Sequence, residues 1–326
     1  MTSLGDCISD SPEGEPELAV VIVTFNSAGV VGACIESCRR FGAGPVLVVD
    51  NASQDNTVEV ARRHGACVTV NLTNRGFAAA ANQAVGQLDA ECILLLNPDT
   101  QLLTSLEALC AECRKPGVGA AAGILIDAGT GSPQAGFSVR RLPSAATLIC
   151  ETLGLNRLLP RNPVNRRYRC SDWNPALPGT VEQPAGAFVM FRRDVWLRLG
   201  GMDERFHPIW FEDVDFCKRL KDAGFEIRYR PDVRAAHEGG HSAGKLASVS
   251  RFQYWYVSLL RYAEKHFALP QFRLVSAAVL ARCVLKLIAI RSRRPFSNTP
   301  EVDTPLRFAV QGLTKGSLPP PQKAGF

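Results

Sequence analysis

Four short, almost purely apolar runs constrain the fold of this chain. They read LAVVIVTF (18–25), PVLVVDN (45–51), CVTV (67–70) and ECILLL (91–96). A run without polar alternation belongs to a strand buried on both faces, as in a parallel sheet covered by helices. Segments of helical spacing lie between them. Val31, Cys34, Ile35 and Cys38 share one side of 28–40, a second helix covers about 54–64, and GFAAAANQAVGQL at 76–88 is Ala-rich. Strand and helix alternating at this spacing predict an α/β, doubly wound, mostly parallel sheet. With 326 residues, 46% of them hydrophobic, the chain can bury a sizeable core.

The second half reads differently. Residues 141–180, rich in Pro, Arg and Asn, are expected to form a long loop region. VEQPAGAFVMF (181–191) reads as strand and EDVDFCKRLKDAG (212–224) as helix. Two helices are expected over 246–292, then a flexible Pro/Gly-rich tail from 295. The opening MTSLGDCISDSPEGEPE is acidic and turn-rich, which predicts a disordered leader over 1–17 and not a signal peptide. The 11 cysteines are scattered singly through apolar surroundings, as in a reduced cytoplasmic protein. A net charge of +6 permits anionic partners such as nucleotides or acidic lipids; no nucleic-acid partner is expected.

In an open α/β sheet, ligands sit beyond the carboxyl ends of the strands. Here those ends carry Thr24-Phe25-Asn26-Ser27, Asp50-Asn51-Ala52-Ser53, Asn74-Arg75-Gly76-Phe77 and Asn97-Pro98-Asp99-Thr100. No G-x-G-x-x-G follows the first strand, which excludes a dinucleotide fingerprint. Ser27, Ser53 and Thr100 would each serve as helix caps. Four polar strand ends together say more: Asp50 suits a base or ribose, and Asp99 a divalent cation shared with substrate phosphates.

Glu212, Asp213 and Asp215 open the helix of the second half. Acids there complement the helix dipole. They can also supply chemistry: Asp213 shares a side with Phe216, Cys217 and Leu220 and should point inward, whereas Glu212 and Asp215 lie nearer Arg219. His237-Glu238-Gly239-Gly240-His241 matches the H-E-x-x-H of zinc hydrolases. That motif needs a helix, and each Gly in a helix interior costs about 0.8–1 kcal/mol relative to Ala. The strand-like Phe225–Tyr229, the expected turn at Pro231-Asp232 and the following Ser242-Ala243-Gly244 make this stretch a loop.

The ordered set VTFNS, VVDNAS, NRGFAAAANQ, LLLNPDT and WFEDVDFCKRL resembles the family 2 inverting glycosyltransferases of the GT-A fold. It is most similar to their bacterial rhamnosyltransferase-like branch, over about residues 18–265. The resemblance implies a catalytic domain over 18–245. It implies a nucleotide-sugar donor held by Thr24, Asn26, Asp50, Asn51, Asn74, Arg75, Gly76 and Asn97. Asn97-Pro98-Asp99 takes the place of the family's D-x-D and keeps only its last acid, so Asp99 is the implied ligand for Mg2+ or Mn2+. His237 is implied as a second ligand, the alternative being an ordinary surface histidine; His241 and Ser242 would assist. The general base is implied at Asp213, with Asp215 next and Glu212 beside them. Gly186-Ala187-Phe188 and Gly201–Phe206 match acceptor-side segments. The implied reaction moves L-rhamnose from dTDP-L-rhamnose to a saccharide or polyprenyl-diphosphate-linked acceptor in cell-surface polysaccharide synthesis. Transfer of another sugar from UDP or GDP, a sugar-phosphate nucleotidyltransferase and a non-catalytic sugar-binding module are the alternatives.

LVSAAVLARCVLKLIAI (274–290) is too short and too charged to span a bilayer. Arg282, Lys286 and Arg293 share a helical face, so 270–294 is expected either to touch an anionic membrane or to pack on the catalytic domain with its basic stripe wet. The expected place of the protein is the cytoplasm, or the inner face of the plasma membrane.

Overall fold

A computed structural model of the chain describes residues 17–239, 248–292 and 299–319. The expected leader before Glu17 and the residues His241 and Ser242 lie outside these. The strands are β1 (Leu18–Thr24), β2 (Val46–Asp50), β3 (Cys67–Val70), β4 (Cys92–Leu96), β5 (Thr100–Leu102), β6 (Val118–Asp127), β7 (Val139–Arg140), β8 (Gly179–Val181), β9 (Gln183–Pro184), β10 (Phe188–Arg192) and β11 (Glu226–His237). The helices are α1 (Val31–Arg40), α2 (Thr57–Arg63), α3 (Phe77–Gln87), α4 (Glu107–Cys113), α5 (Ala145–Thr152), α6 (Leu155–Leu158), α7 (Pro163–Tyr168), α8 (Arg193–Arg198), α9 (Glu212–Asp222), α10 (Ser248–His266), α11 (Leu269–Arg291) and α12 (Pro300–Lys315).

A nine-stranded sheet runs β3-β2-β1-β4-β10-β6-β11-β5, with β8 also paired to β11. β3, β2, β1 and β4 are parallel, as the apolar runs predict. β10 then enters antiparallel between β4 and β6, with Phe188 opposite Leu96. The start of β10 therefore lies at the carboxyl end of β4, among the ligand-bearing turns. Alternate side chains of the strands feed two cores. Ala19, Val21, Leu47 and Val49 pack with α3 and α9 on one face. Val20, Ile22, Val48 and Leu94 pack with α1 and α4 on the other.

Several expectations change. The region 141–180 contains α5, α6 and α7, and the expected flexible tail contains α12, whose internal Pro305 disguises its period. Pro231-Asp232 is an irregularity inside the long β11 and not a turn between elements. β6 hides in the sequence because five of its first six residues are Gly or Ala. They are small for a reason: a Cβ on Gly123 would run into the Val233 carbonyl and the Phe188 ring. Of the expected basic stripe on α11, Lys286 lies 3.8 Å from the Phe252 ring centroid on α10, and Arg282 reaches Tyr256. The exposed positions of α11 combine Leu274, Leu285 and Ile288 with Arg273, Arg282 and Arg291, and Arg293 lies outside the described residues.

A third core joins Phe206, Phe211 and Val214 to the C-terminal helices through Leu259, Tyr262, Phe272 and Val279. Beside it, Asp215 is fully buried. Its carboxylate meets Arg219 Nε at 2.8 Å, and Lys265 Nζ and His266 Nε2 at 2.7 Å each. Lys265 also pairs with Asp203 at 2.7 Å. Burial alone would raise the pKa of Asp215, but His266, Lys265 and Arg219 more than offset it and hold the carboxyl below its ordinary value.

Breaking a buried pair by removing one partner typically costs about 3–5 kcal/mol. Asp215→Ala is expected to lose stability of that order at pH 7. With a depressed folded pKa, the wild-type contribution is present above the unfolded value near pH ~4 and is lost as pH falls through the folded value. The two proteins should therefore converge in acid. Urea denaturation at neutral and acidic pH measures both; equal stability at pH 7 would contradict the network's role.

Candidate functional site

The first turn region is built around Asp50 and Asn51. Asp50 is fully buried and accepts 2.8 Å hydrogen bonds from Thr24 Oγ1 and the Ser53 amide. Asn26, at φ 52°, accepts from the Gln54 amide at 2.8 Å, and its own amide donates to Ser53 Oγ at 2.8 Å. Asn51 is buried too; its side chain donates to the Gly76 carbonyl at 3.1 Å and accepts from Asn71 at 3.0 Å. Gly76 sits at φ 83°, and a Cβ there would meet the His207 ring at 2.9 Å. The neighbouring Phe77 amide donates to the Pro208 carbonyl at 2.8 Å. These links close a slot lined by Val23, Thr24, Phe25, Asn51, Asn74, Phe77, Pro208 and Ile209. Asp50 is not among the residues that line the slot; its carboxylate supports Thr24 and the 52–54 turn. Arg75 is exposed and donates to Gln83 at 3.1 Å.

Asp99 and His237 meet beyond β4 and β11. Both are nearly fully buried, with His237 Nε2 at 3.7 Å from Asp99 Oδ1. Gln134 fixes the imidazole. Its amide nitrogen donates to the His237 main-chain carbonyl at 3.0 Å, which turns Gln134 Oε1 toward His237 Nδ1 at 2.9 Å. Nδ1 thus carries the proton, and the Nε2 lone pair faces the carboxylate. Burial lowers the His237 pKa against the opposing charges of Asp99, Asp127 and Glu238, so the ring is neutral near pH 7. Two lone-pair donors facing each other across 3.7 Å suit a cation between them, and a bonded Nδ1 is the usual support of a metal-ligating histidine. Among the described residues no cluster of three or more His, Cys, Asp or Glu could hold a metal. His237 ends a strand, which disposes of the helical H-E-x-x-H geometry.

Asp213 completes the site from the side of α9. Its Oδ2 accepts from the Gly186 amide at 3.2 Å, and its Oδ1 from the Val214 amide at 2.8 Å. The Asn97 amide donates to the Ala187 carbonyl at 3.0 Å. One dipeptide, Gly186-Ala187, therefore links Asp213 to the turn that carries Asp99. Burial raises the Asp213 pKa, moderated by the two amides and by Arg140. Arg140 is half-buried, its guanidinium 5.3 Å from the Phe137 ring centroid, and Phe137 stacks on His237. Glu212 is buried, and its Oε2 has no hydrogen-bond partner. Burial and then the Asp213 charge push its pKa well above the carboxylate range. Asp215 faces away into the ion network, not toward the slot.

The structure thus brings Thr24, Asn51, Asn74, Asn97, Asp99, His237 and Asp213 to one end of the sheet. Sequence reasoning missed Gln134, Phe137 and Arg140, which lie in a stretch without periodicity, and gave no role of their own to the slot walls Phe25 and Phe77 within the strand-end turns.

A family model described as Glycosyl transferase family 2 matches residues 19–195, and one described as N-terminal domain of galactosyltransferase matches 166–241. An N-acetylglucosaminyl-diphospho-decaprenol L-rhamnosyltransferase of Mycobacterium tuberculosis is 30% identical over 250 residues, covering 70% of this chain and 78% of that protein. The chain belongs to glycosyltransferase family 2. This family 2 enzyme is also similar to rhamnosyltransferase WbbL of Escherichia coli K12, 29% identical over 128 residues, 39% of this chain and 44% of that protein. The crystal structure of GalNAc-T7 with UDP, GalNAc and Mn2+ has a TM-score of 0.56 at 13% identity, over 92% of this chain and 58% of that one. That likeness speaks for the GT-A fold alone.

Glu212 yields a stability test. Its folded pKa is raised above the unfolded value of about 4.3, so its contribution is complete below that pH and declines as pH rises through the folded value. Glu212→Gln removes the decline. The melting temperature of the variant relative to wild type should climb as pH rises above the unfolded value of about 4.3 and level off beyond the folded one. A pH-independent difference would show that the carboxyl is not held neutral.

Proposed function

We propose that this glycosyltransferase moves L-rhamnose from dTDP-L-rhamnose, with inversion, onto a saccharide carried by a polyprenyl diphosphate. The observation that carries the reading is the Gly186-Ala187 bridge, which sets the Asp213 carboxylate beside the Asn97–Asp99 turn. The names of the mycobacterial and E. coli relatives support the sugar, and that of the first supports the acceptor. The nucleoside enters the slot between Phe25 and Phe77, with Thr24, Asn51 and Asn74 presenting polar atoms. Asn26, Arg75, Gly76 and Asn97 frame the diphosphate side.

In this reading the acceptor hydroxyl attacks the anomeric carbon from the face opposite the diphosphate. The new C–O bond forms as the bond to the diphosphate breaks, and Asp213 takes the hydroxyl proton. A carboxyl whose pKa is raised by burial is, once ionised, a stronger base than an exposed one. Glu212, its own pKa pushed up by burial and then by the Asp213 charge, ionises less readily beside it. Asp99 and His237 would hold Mg2+ or Mn2+, with Asn97 beside them. Two protein ligands suit a hard cation that keeps water and substrate phosphates. Bound there, the cation offsets charge on the leaving diphosphate.

A polyprenyl acceptor puts the work at the cytoplasmic face of a membrane, with 270–294 as the contact. Among the described residues no helix is long and apolar enough to cross one. A different sugar from UDP or GDP is the second reading. Donor hydrolysis over a panel of nucleotide sugars separates the two.

Asp213→Asn keeps the shape but cannot accept a proton. Turnover should fall by ~10²–10⁴-fold, the usual worth of a general base. Donor affinity by calorimetry should stay near wild type, since the slot is built elsewhere. A near-normal rate would remove Asp213 from the mechanism.

EDTA should stop transfer, and Mg2+ or Mn2+ should restore it. Asp99→Ala should remove both the activity and the metal-dependent gain in donor binding. Full activity in EDTA would overturn the cation assignment.

A further inference from the structure

The outer side of α11 and the turn around α6 expose a set of leucines that no core accounts for. Leu274, Leu285 and Ile288 are 59%, 55% and 60% exposed, and Leu158 and Leu159 are 74% and 63% exposed. Positions 274, 281, 285 and 288 recur at helical spacing, so they form one stripe along α11. The opposite side of that helix is spoken for by Phe272, Val275, Val279 and Cys283 in the third core. α5 packs along α11, and α6 follows α5 directly, so both apolar surfaces belong to the same region of the molecule.

The two stretches of sequence that carry these leucines are basic, with Glu151 near the end of α5 and Glu301 near Lys286 as their acidic neighbours. No acidic residue occurs between Glu151 and Asp172, or between Glu264 and Glu301. Arg157, Arg161, Arg273 and Arg291 are exposed and make no ion pair among the described residues. The region also adjoins the reaction centre. α7 ends at Tyr168, whose hydroxyl accepts from Arg140 at 3.5 Å, and the same arginine bears on Asp213.

We propose that the outer side of α11 and the α6 turn form a platform that lies on an anionic bilayer, with the leucines in the acyl boundary and the arginines at the headgroups. Helices with apolar side chains flanked by arginines bind interfaces this way, by buried apolar area plus attraction to anionic lipid. The basic stripe read from the sequence is not the docking element, because Lys286 and Arg282 turn toward α10. The inference deepens the lipid-linked acceptor reading and rests on it for its biological purpose, though not for its test. The platform sets the height of the cleft above the headgroups, so that an acceptor anchored by its chain presents its sugar to Asp213.

The test uses the full chain and vesicles. Wild type should co-float with vesicles of phosphatidylcholine mixed with phosphatidylglycerol, much less with phosphatidylcholine alone, and less again in high salt. Leu158→Ser/Leu159→Ser and Leu285→Ser/Ile288→Ser should each weaken binding at least roughly tenfold. Their melting temperatures and their transfer to a water-soluble acceptor analogue should remain those of wild type. Vesicle binding unchanged in both variants, or absent in wild type, would overturn the proposal. So would a wild-type dimer by light scattering that both variants dissolve, since a second copy would then cover the surface. The parent reading fails separately: no transfer from dTDP-L-rhamnose, with vesicle binding still lost in the variants, leaves the platform standing and removes the sugar assignment.

Discussion

Two main-chain amides hold the site of this enzyme together. Asn97 N–H donates to the Ala187 carbonyl, and Gly186 N–H donates to Asp213. Both depend on β10 running against the direction of its neighbours, because only then does its first residue meet the last residues of β4. A parallel strand would deliver its far end there instead. The slot, the Asp99–His237 pair and the acidic helix come from distant parts of the chain, and this short connection sets their spacing. It also explains why position 186 has no side chain. A Cβ there would stand 3.1 Å from the Asp213 carboxylate oxygen.

The three acids of α9 show how one helical turn can give the same chemistry different fates. Asp213 points to backbone amides and is raised by burial, Glu212 is buried without a partner on one oxygen, and Asp215 is held below its ordinary value by His266, Lys265 and Arg219. The helix dipole acts on all of them alike. What separates them is the angle at which each leaves the helix and what waits there: the sheet edge for Asp213, the C-terminal helices for Asp215.

Most of the parallel half of the sheet could be read from the sequence because β1, β2 and β4 are buried on both faces in near-continuous apolar runs. The strand-end turns could be read for the same reason, since polar residues stand out after an apolar run. The pattern failed where burial is achieved with small residues, as in β6, or where proline sits inside a helix, as in α12. Nor does it show that the Asp50 carboxylate is bonded to Thr24 and Ser53. Gln134 and Arg140 were invisible for a deeper reason. Their significance comes from what they touch, and those contacts join residues as much as 103 positions apart. The family membership found by comparison agrees with the motif set read at the start.

The third core has a consequence for how the chain can be altered. α9 gives Phe216, Cys217 and Leu220 to the sheet and Val214 to the C-terminal helices. Its acid-bearing first turn is therefore gripped from two sides. The helices after residue 248 are thus not a detachable appendage. A chimera joined between β11 and α10 would give α9 a foreign partner surface and leave Asp215 without Lys265 and His266. A workable graft would have to carry the segment from Gly201 onward as one cassette, so that α9 and the helices that hold its first turn travel together.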